Sequence, residues 1–187
     1  MEAENRIDMD IFKIVTRAVT ESDDLIDMTT HICQLLVATL QIKACTVFVM
    51  NLDTEELEIL ATFGLSTTYL GKGPVRADKS IGCTLKGETV IVRDIGVSDR
   101  LQYPEHARSE GIAAIVSVPI IFTNEVIGAL RLYHYEPWDI SASDVDSLLI
   151  LSENIGLAMM YTRLFNSLRR ISGELENLPQ EDAKPSY

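Results

Sequence analysis

Basic charge is scarce in this sequence: 16 Lys and Arg stand against 28 Asp and Glu, a formal net charge of −12. A surface of that sign argues against nucleic-acid binding, because phosphates are held by clustered cations. It also repels anionic membrane surfaces and favours solubility. Cysteine is scarce too. Cys33, Cys45 and Cys83 are odd in number and widely spaced, so neither a disulfide framework nor a zinc-ligand spacing emerges. His31, His106 and His134 lie too far apart in sequence to suggest a metal motif. No run approaches the roughly 18 uncharged apolar residues that a bilayer crossing needs. The acidic, polar start MEAENRIDMD is unlike a secretory signal. A cytoplasmic chain without membrane insertion is expected. Catalytic signatures are missing as well. Gly71-Lys72-Gly73-Pro74 is too short for a P-loop and lacks its Gly-Lys-Ser/Thr ending, and there is no Gly-x-Ser-x-Gly elbow. Binding, with no enzymatic activity, is the expectation.

What is present is a globular pattern: 47% of 187 residues are apolar, enough for one domain with helical extensions. Ile7, Ile11, Ile14 and Ala18 form one helical stripe, in a helix from about Ile7 to Thr20. Ser22 is suited to cap a second helix that runs to about Gln41, with Leu25, Met28, Ile32, Leu35, Leu36 and Thr39 on its apolar side. Lys43–Met50 and Glu56–Phe63 read as a strand hairpin. From Gly64 to Ala107, glycine and proline break every long period, leaving one short strand at Thr89–Asp94 and a short helix at Pro104–Glu110. Irregular segments of that length are usually functional, so this one is expected to be a lid.

The organising stretch is Gly111–Tyr135. It reads as strands Ala113–Phe122 and Glu125–Tyr135 around a Thr123-Asn124 turn, where Asn tolerates left-handed backbone. Alternation on the second strand places Val126, Gly128, Leu130 and Leu132 on one face, for helices. Ile127, Ala129, Arg131 and Tyr133 take the other, which Tyr135 extends. A last helix follows, with Ser141 or Ser143 as its cap. One of its stripes, Val145, Leu148, Ser152, Ile155 and Met159, suits the sheet. A second, Leu157, Tyr161, Leu164, Leu168, Ile171, Leu175 and Leu178, has the spacing of a heptad seam. The expected organisation is an N-terminal helix over 1–21, a domain over 22–165, a heptad extension over 166–178 and a disordered polar tail over 179–187. The seam predicts a parallel homodimer through the terminal helices, to which the N-terminal stripe would add.

Several segments resemble the GAF domain family. Ser80-Ile81-Gly82 through Gly87 to Arg93-Asp94 is similar to its Gly-x5-Gly-x6-Asp segment. Gly111-Ile112 followed by Ser117-Val118-Pro119-Ile120 is similar to its Gly-Ile…Ser…Val-Pro-Leu segment. Val126-Ile127-Gly128-Ala129-Leu130 resembles its Val-Ile-Gly-Val-Leu strand, and Trp138-Asp139-Ile140-Ser141 with Asp144 its entry to the last helix. The resemblance spans about Asp24 to Phe165. It implies an α+β fold layered α/β/α, with a central antiparallel sheet, a helical layer on one face and a ligand pocket with a short helix on the other. It implies a sensory or regulatory module, with the first, second and last helices as the dimer interface.

Departures narrow the ligand. The cyclic-nucleotide pattern of the family, Asn-Lys-x3-Phe-x3-Asp-Glu, is replaced by His134-Tyr135-Glu136-Pro137-Trp138-Asp139. The region Arg100–Gly111 holds His106 and no cysteine for a covalent bilin. No cofactor is named by the sequence, and the small-molecule ligand stays unidentified.

Ser117, Arg131 and Tyr133 occupy alternate positions on neighbouring strands and are candidates for lining the pocket. Tyr103, His106 and Asp94 flank its expected cover and complete the candidate ligand-binding set. A guanidinium matches carboxylate and phosphate geometry, so Arg131 suits an anionic ligand. Its alternative is a salt bridge to Asp94 or Asp99. Arg76, Arg93 and Arg100 have the same two readings. The bland role of His31 is packing in the core, and that of Cys83 is an inert thiol.

Two alternatives to a sensor remain: a redox enzyme of the free methionine sulfoxide reductase type, and a purely structural dimerisation module. Cys83 is the one cysteine in the irregular region, and a second thiol for disulfide exchange is not evident. A thioredoxin-coupled assay with free methionine sulfoxide should therefore give no turnover. Turnover abolished by Cys83→Ser would reject the binding-module reading.

Overall fold

The computed structural model describes residues 7–51, 56–73, 82–98 and 101–176, without the side chains of residues 56 and 174–176. The expected turn after Met50, the polar tail over 179–187, Arg76, Asp99, Arg100 and Leu178 lie outside the described residues, as does the side chain of Leu175.

Five strands form one antiparallel sheet: β1 (Ala44–Asn51), β2 (Glu56–Phe63), β3 (Val90–Val92), β4 (Ala114–Phe122) and β5 (Glu125–His134). Their order is β2-β1-β5-β4-β3, so the β4–β5 hairpin occupies the middle and β1 joins it from the other side. The hairpin turn is as its residues predict, with Thr123 and Asn124 both at positive φ (49° and 67°). The fold is α+β, as expected.

One face of the sheet is dry. Cys45, Val47, Val116, Val118, Ile120, Leu130 and Leu132 pack there against α1 (Met9–Glu21), α2 (Leu25–Leu40) and α6 (Ala142–Glu176). Asp24 caps α2, accepting from Ile26 N and Asp27 N, whereas Ser22, the expected cap, donates its hydroxyl to the Asp24 carbonyl. Its C-terminus closes through Gln41 in the left-handed region. Ser141 is the cap of α6, accepting from Asp144 N at 3.0 Å. The buried Asp144 carboxylate in turn accepts from Ile7 N at 2.9 Å, tying the start of the chain to the start of the last helix.

Three expectations change here. Ile11, Val15 and Ala18 are the buried residues of α1, and Ile7 is buried just ahead of it, so the face turns toward Val15 and leaves Ile14 half-buried. That face packs inside the chain, against α2 and α6, and is not free to add to a dimer seam. His31 is exposed and takes no part in the core. Ile127 packs toward the helical core, not beside Arg131, because the register shifts between Ile120 and Ile121 and a bulge interrupts the alternation.

The seam on α6 stays outside. Leu157, Tyr161, Leu164, Leu168 and Ile171 are 51–67% exposed, and Tyr161 stacks on Phe165. The first stripe holds Leu148, Ser152, Ile155 and Met159 fully inside, with Val145 partly buried. By length and composition alone α6 is apolar enough to cross a membrane, yet 44% of its most apolar window is buried in this fold.

Gly128 sets the approach of β5 to β1. A Cβ there would lie 2.2 Å from the Phe48 carbonyl oxygen, a backbone atom with no room to yield. Gly128→Ala should cost about 1–3 kcal/mol, the usual penalty of overpacking. Urea unfolding reads this as a lower midpoint at unchanged m; a midpoint equal to the wild type would mean that the strands are not so close.

Candidate functional site

The second face of the sheet carries polarity that the first lacks. Ala44, Thr46 and Phe48 of β1, Ala129, Arg131 and Tyr133 of β5, and Ile115 and Ser117 of β4 alternate onto it. Register makes Arg131 the neighbour of both Thr46 and Ser117. Three short helices cover this face: α3 (Thr67–Leu70), α4 (Gly82–Leu85) and α5 (Pro104–Ser109). Tyr69 of α3 and Ala107 of α5 enter the apolar cluster with Ile115 and Tyr133. From α4, buried Thr84 donates to the Ser117 hydroxyl at 3.3 Å, while its neighbour Cys83 is exposed.

A polar clasp holds α3 down. Ser66 caps it, accepting from Tyr69 N, and both the Ser66 amide and hydroxyl donate to the Glu110 carboxylate beyond α5. Lys43 Nζ reaches the same carboxylate at 3.3 Å. Burial pushes the Glu110 carboxyl up, but the Ser66 hydrogen bonds and the Lys43 ammonium outweigh it and hold it below the usual carboxylate range.

Arg131 lies beneath this cover, 4% exposed. Its guanidinium sits over the Phe48 ring, 5.9 Å from the centroid, and beside the Tyr133 hydroxyl. Its Nε–H has no hydrogen-bond partner, and no described carboxylate pairs with it. Buried polar groups are nearly always paired, and a buried charge even more so. The salt bridge offered as the alternative role is therefore not made by Asp94, which accepts from Gly96 N at 2.7 Å in a local turn.

Thr46, Phe48 and Tyr133, the neighbours of Arg131, line a cavity of about 260 Å³ with Leu57, Leu65 and Leu70, and Glu58, Lys72 and Gly73 are also on its wall; Arg131 itself lies behind that wall. Lys72 is a second cation here. Its ammonium lies 3.5 Å from the Tyr69 ring centroid and donates to the Tyr69 carbonyl at 3.1 Å. Burial, then repulsion from Arg131, pull its pKa down to about 8. Among the described residues the one carboxylate on the wall is Glu58, which already accepts from Asn51 Nδ2 at 2.7 Å. Burial raises the Tyr69 and Tyr133 hydroxyls, so both remain neutral donors.

Of the six candidates, Ser117, Arg131 and Tyr133 come together on one sheet face. Tyr103 caps α5, and its hydroxyl stands against Gly73 at the cavity edge. His106 is exposed on the far side of α5 and lines a separate outer groove with Ser66 and Glu110, because Ala107 is the residue that faces inward. Asp94 stays in its turn. Arg93 pairs with Asp139 at 2.8 Å on the surface. Tyr135 lies past the end of β5 and is 54% exposed, so it does not extend the polar face. Lys72 had no sequence signal beyond its glycine-flanked position. Among the described residues no group of His, Cys, Asp and Glu is arranged to hold a metal.

The sequence model of the GAF domain matches residues 24–159. No curated protein matches the chain. Solved structures share its fold at low identity. The GAF domain of a phosphoenolpyruvate-protein phosphotransferase from Coxiella burnetii superposes with a TM-score of 0.72 at 19% identity, over 85% of this chain and 98% of that one. Free methionine-R-sulfoxide reductase from Neisseria meningitidis, in complex with its substrate, gives 0.68 at 14% identity, over 87% and 97%. The phycocyanobilin-bound GAF domain of a cyanobacterial phytochrome gives 0.66 at 16% identity, over 84% and 98%. With the match covering most of its length, and with a two-faced antiparallel sheet roofed by short helices, this chain belongs to the GAF domain family.

Proposed function

We propose that this chain is a cytoplasmic sensory module that binds a small molecule between the sheet and its cover of short helices, and passes occupancy to α6 in a homodimer. The observation that carries the reading is Arg131: a buried guanidinium with an unpartnered Nε–H behind a cavity is costly unless a ligand uses it. The cavity is smaller than the usual range of about 300–1,000 Å³ for drug-sized ligands. It suits a metabolite-sized ligand.

The strands supply the connection to α6. Ser117 and Arg131 face the cavity side, while Val116, Val118 and Ile120 of the same hairpin pack toward α6. Ser152 of α6 donates to the Pro119 carbonyl at 2.7 Å, two residues from Ser117. A ligand that favours one hairpin position over another is thereby able to bias the helix, in proportion to its differential affinity. Dimerisation is supported by the exposed Leu157–Ile171 seam, since contiguous apolar patches of more than a few hundred Å² mark interfaces.

Native mass spectrometry of the undenatured protein tests both halves at once. The expected species is a dimer carrying a bound small molecule, with Leu164→Glu or Leu168→Glu giving monomers. A monomer at tens of micromolar that these substitutions leave unaltered would reject the dimer. Protein with no adduct, binding no metabolite-sized compound, would favour a purely structural module.

A further inference from the structure

The geometry points to a small organic anion as the occupant of the cavity: an apolar body against Phe48, Leu57 and Leu65, with carboxylate or phosphate oxygens between the Arg131 guanidinium and the Lys72 ammonium. This rests on the pocket reading above and specifies the chemistry of its ligand.

One cation, Lys72, is on the wall of the cavity and a second, Arg131, lies behind it, and neither has a described carboxylate partner. Arg131 stands behind the wall made by Thr46, Phe48 and Tyr133, and Lys72 stands on the rim with Gly73. Bringing two like charges toward one desolvated space is unfavourable in the empty protein and is relieved by an anion placed between them. The chain carries a net charge of −12, so carboxylates are plentiful, yet among the described residues none pairs with either cation. The remaining wall fixes the rest of the ligand. Phe48, Leu57, Leu65 and Leu70 offer an apolar surface, while the Thr46 hydroxyl is already shared with Thr62 at 2.8 Å and the Tyr133 hydroxyl with Thr46 and Arg131. Glu58 is the one acid on the wall among the described residues, and its bond from Asn51 anchors it at the β1–β2 edge, where it disfavours anions that extend that way.

The site also carries a pH signature. Lys72 faces Arg131 and Glu110 through their charges, Tyr69 through its ring and carbonyl, and Tyr133 and Glu58 across the cavity, with the Tyr103 hydroxyl beside Gly73. Its ammonium loses its proton near pH 8 in the empty protein. Anion affinity is accordingly full below that value and falls as pH rises through it, by up to about tenfold between pH 7 and pH 9 if the ligand requires the charged form.

Calorimetric titration with benzoate, phenyl phosphate and benzyl alcohol, which share one ring and differ in headgroup, is the test. At pH 7 and low salt the wild type should bind at least one of the two anions about tenfold or more tighter than benzyl alcohol, and the preferred anion identifies the headgroup. Lys72→Met should weaken that anion about tenfold and flatten its dependence on pH between 7 and 9, and Lys72→Arg should restore binding at pH 9. Arg131→Met should abolish the preference for anions while leaving the melting temperature at or above that of the wild type, since an apolar replacement of a buried charge is often neutral or stabilising. Equal affinity for benzyl alcohol and the anions would overturn the anion assignment and leave the pocket standing. Anion binding that neither substitution weakens would place the anion elsewhere and overturn the assignment. Failure of all three probes to bind would also overturn it, and the native mass measurement then decides separately whether any pocket exists.

Discussion

The pairing of β4 with β5 is the contact on which the rest of the molecule depends. It is the central ladder of the sheet, and β1 and β3 each join one side of it. Strand alternation lets the same hairpin do two unlike things. Val116, Val118, Leu130 and Leu132 build the dry core with the long helices, and Ser117, Arg131 and Tyr133, one residue away, lie on the opposite face, where Tyr133 lines the cavity. A slip of one residue in β5 would put the Arg131 guanidinium into the helical core and leucines under the short helices, and one in β4 would turn Ser117 into that core, so the pairing is strongly specified.

The two faces differ in how they are closed. The helical side is sealed by apolar stripes of three helices and by the Asp144 carboxylate holding Ile7. The other side is roofed by helices of four to six residues, pinned by the Ser66–Glu110–Lys43 clasp and the Thr84–Ser117 hydrogen bond. A cover of such short helices, held in part by polar bonds, opens at lower free energy than the core.

Much of this was legible in the sequence because it is periodic. The strands, the type of turn at Thr123-Asn124, the long last helix and its two stripes follow from periods of two and of three to four residues. What was missed has no period. α3 and α4 are single turns within a glycine-broken region and leave no stripe to read. α5, with six residues, is too short to reveal that Ala107 faces in and His106 out. Ile127 follows the alternation on paper, but a bulge in the pairing reverses it, and a bulge is a property of two strands together. Lys72 belongs to the site only because α3 turns it over the Tyr69 ring toward Arg131, a placement set by residues distant in sequence. Arg131 itself is identifiable from its strand position; that its Nε–H lacks a partner is not.

Arg131, whose Nε–H has no partner, is the charge proposed to meet the ligand. Nitrogen-15 NMR of the Arg131 Nε–H, assigned through Arg131→Lys, reads that group directly. On saturation with benzoate the resonance should shift and its proton should exchange more slowly with solvent, as an Nε–H that gains an acceptor does. A resonance that stays in place and exchanges at the same rate, while calorimetry shows the anion bound, would contradict the account.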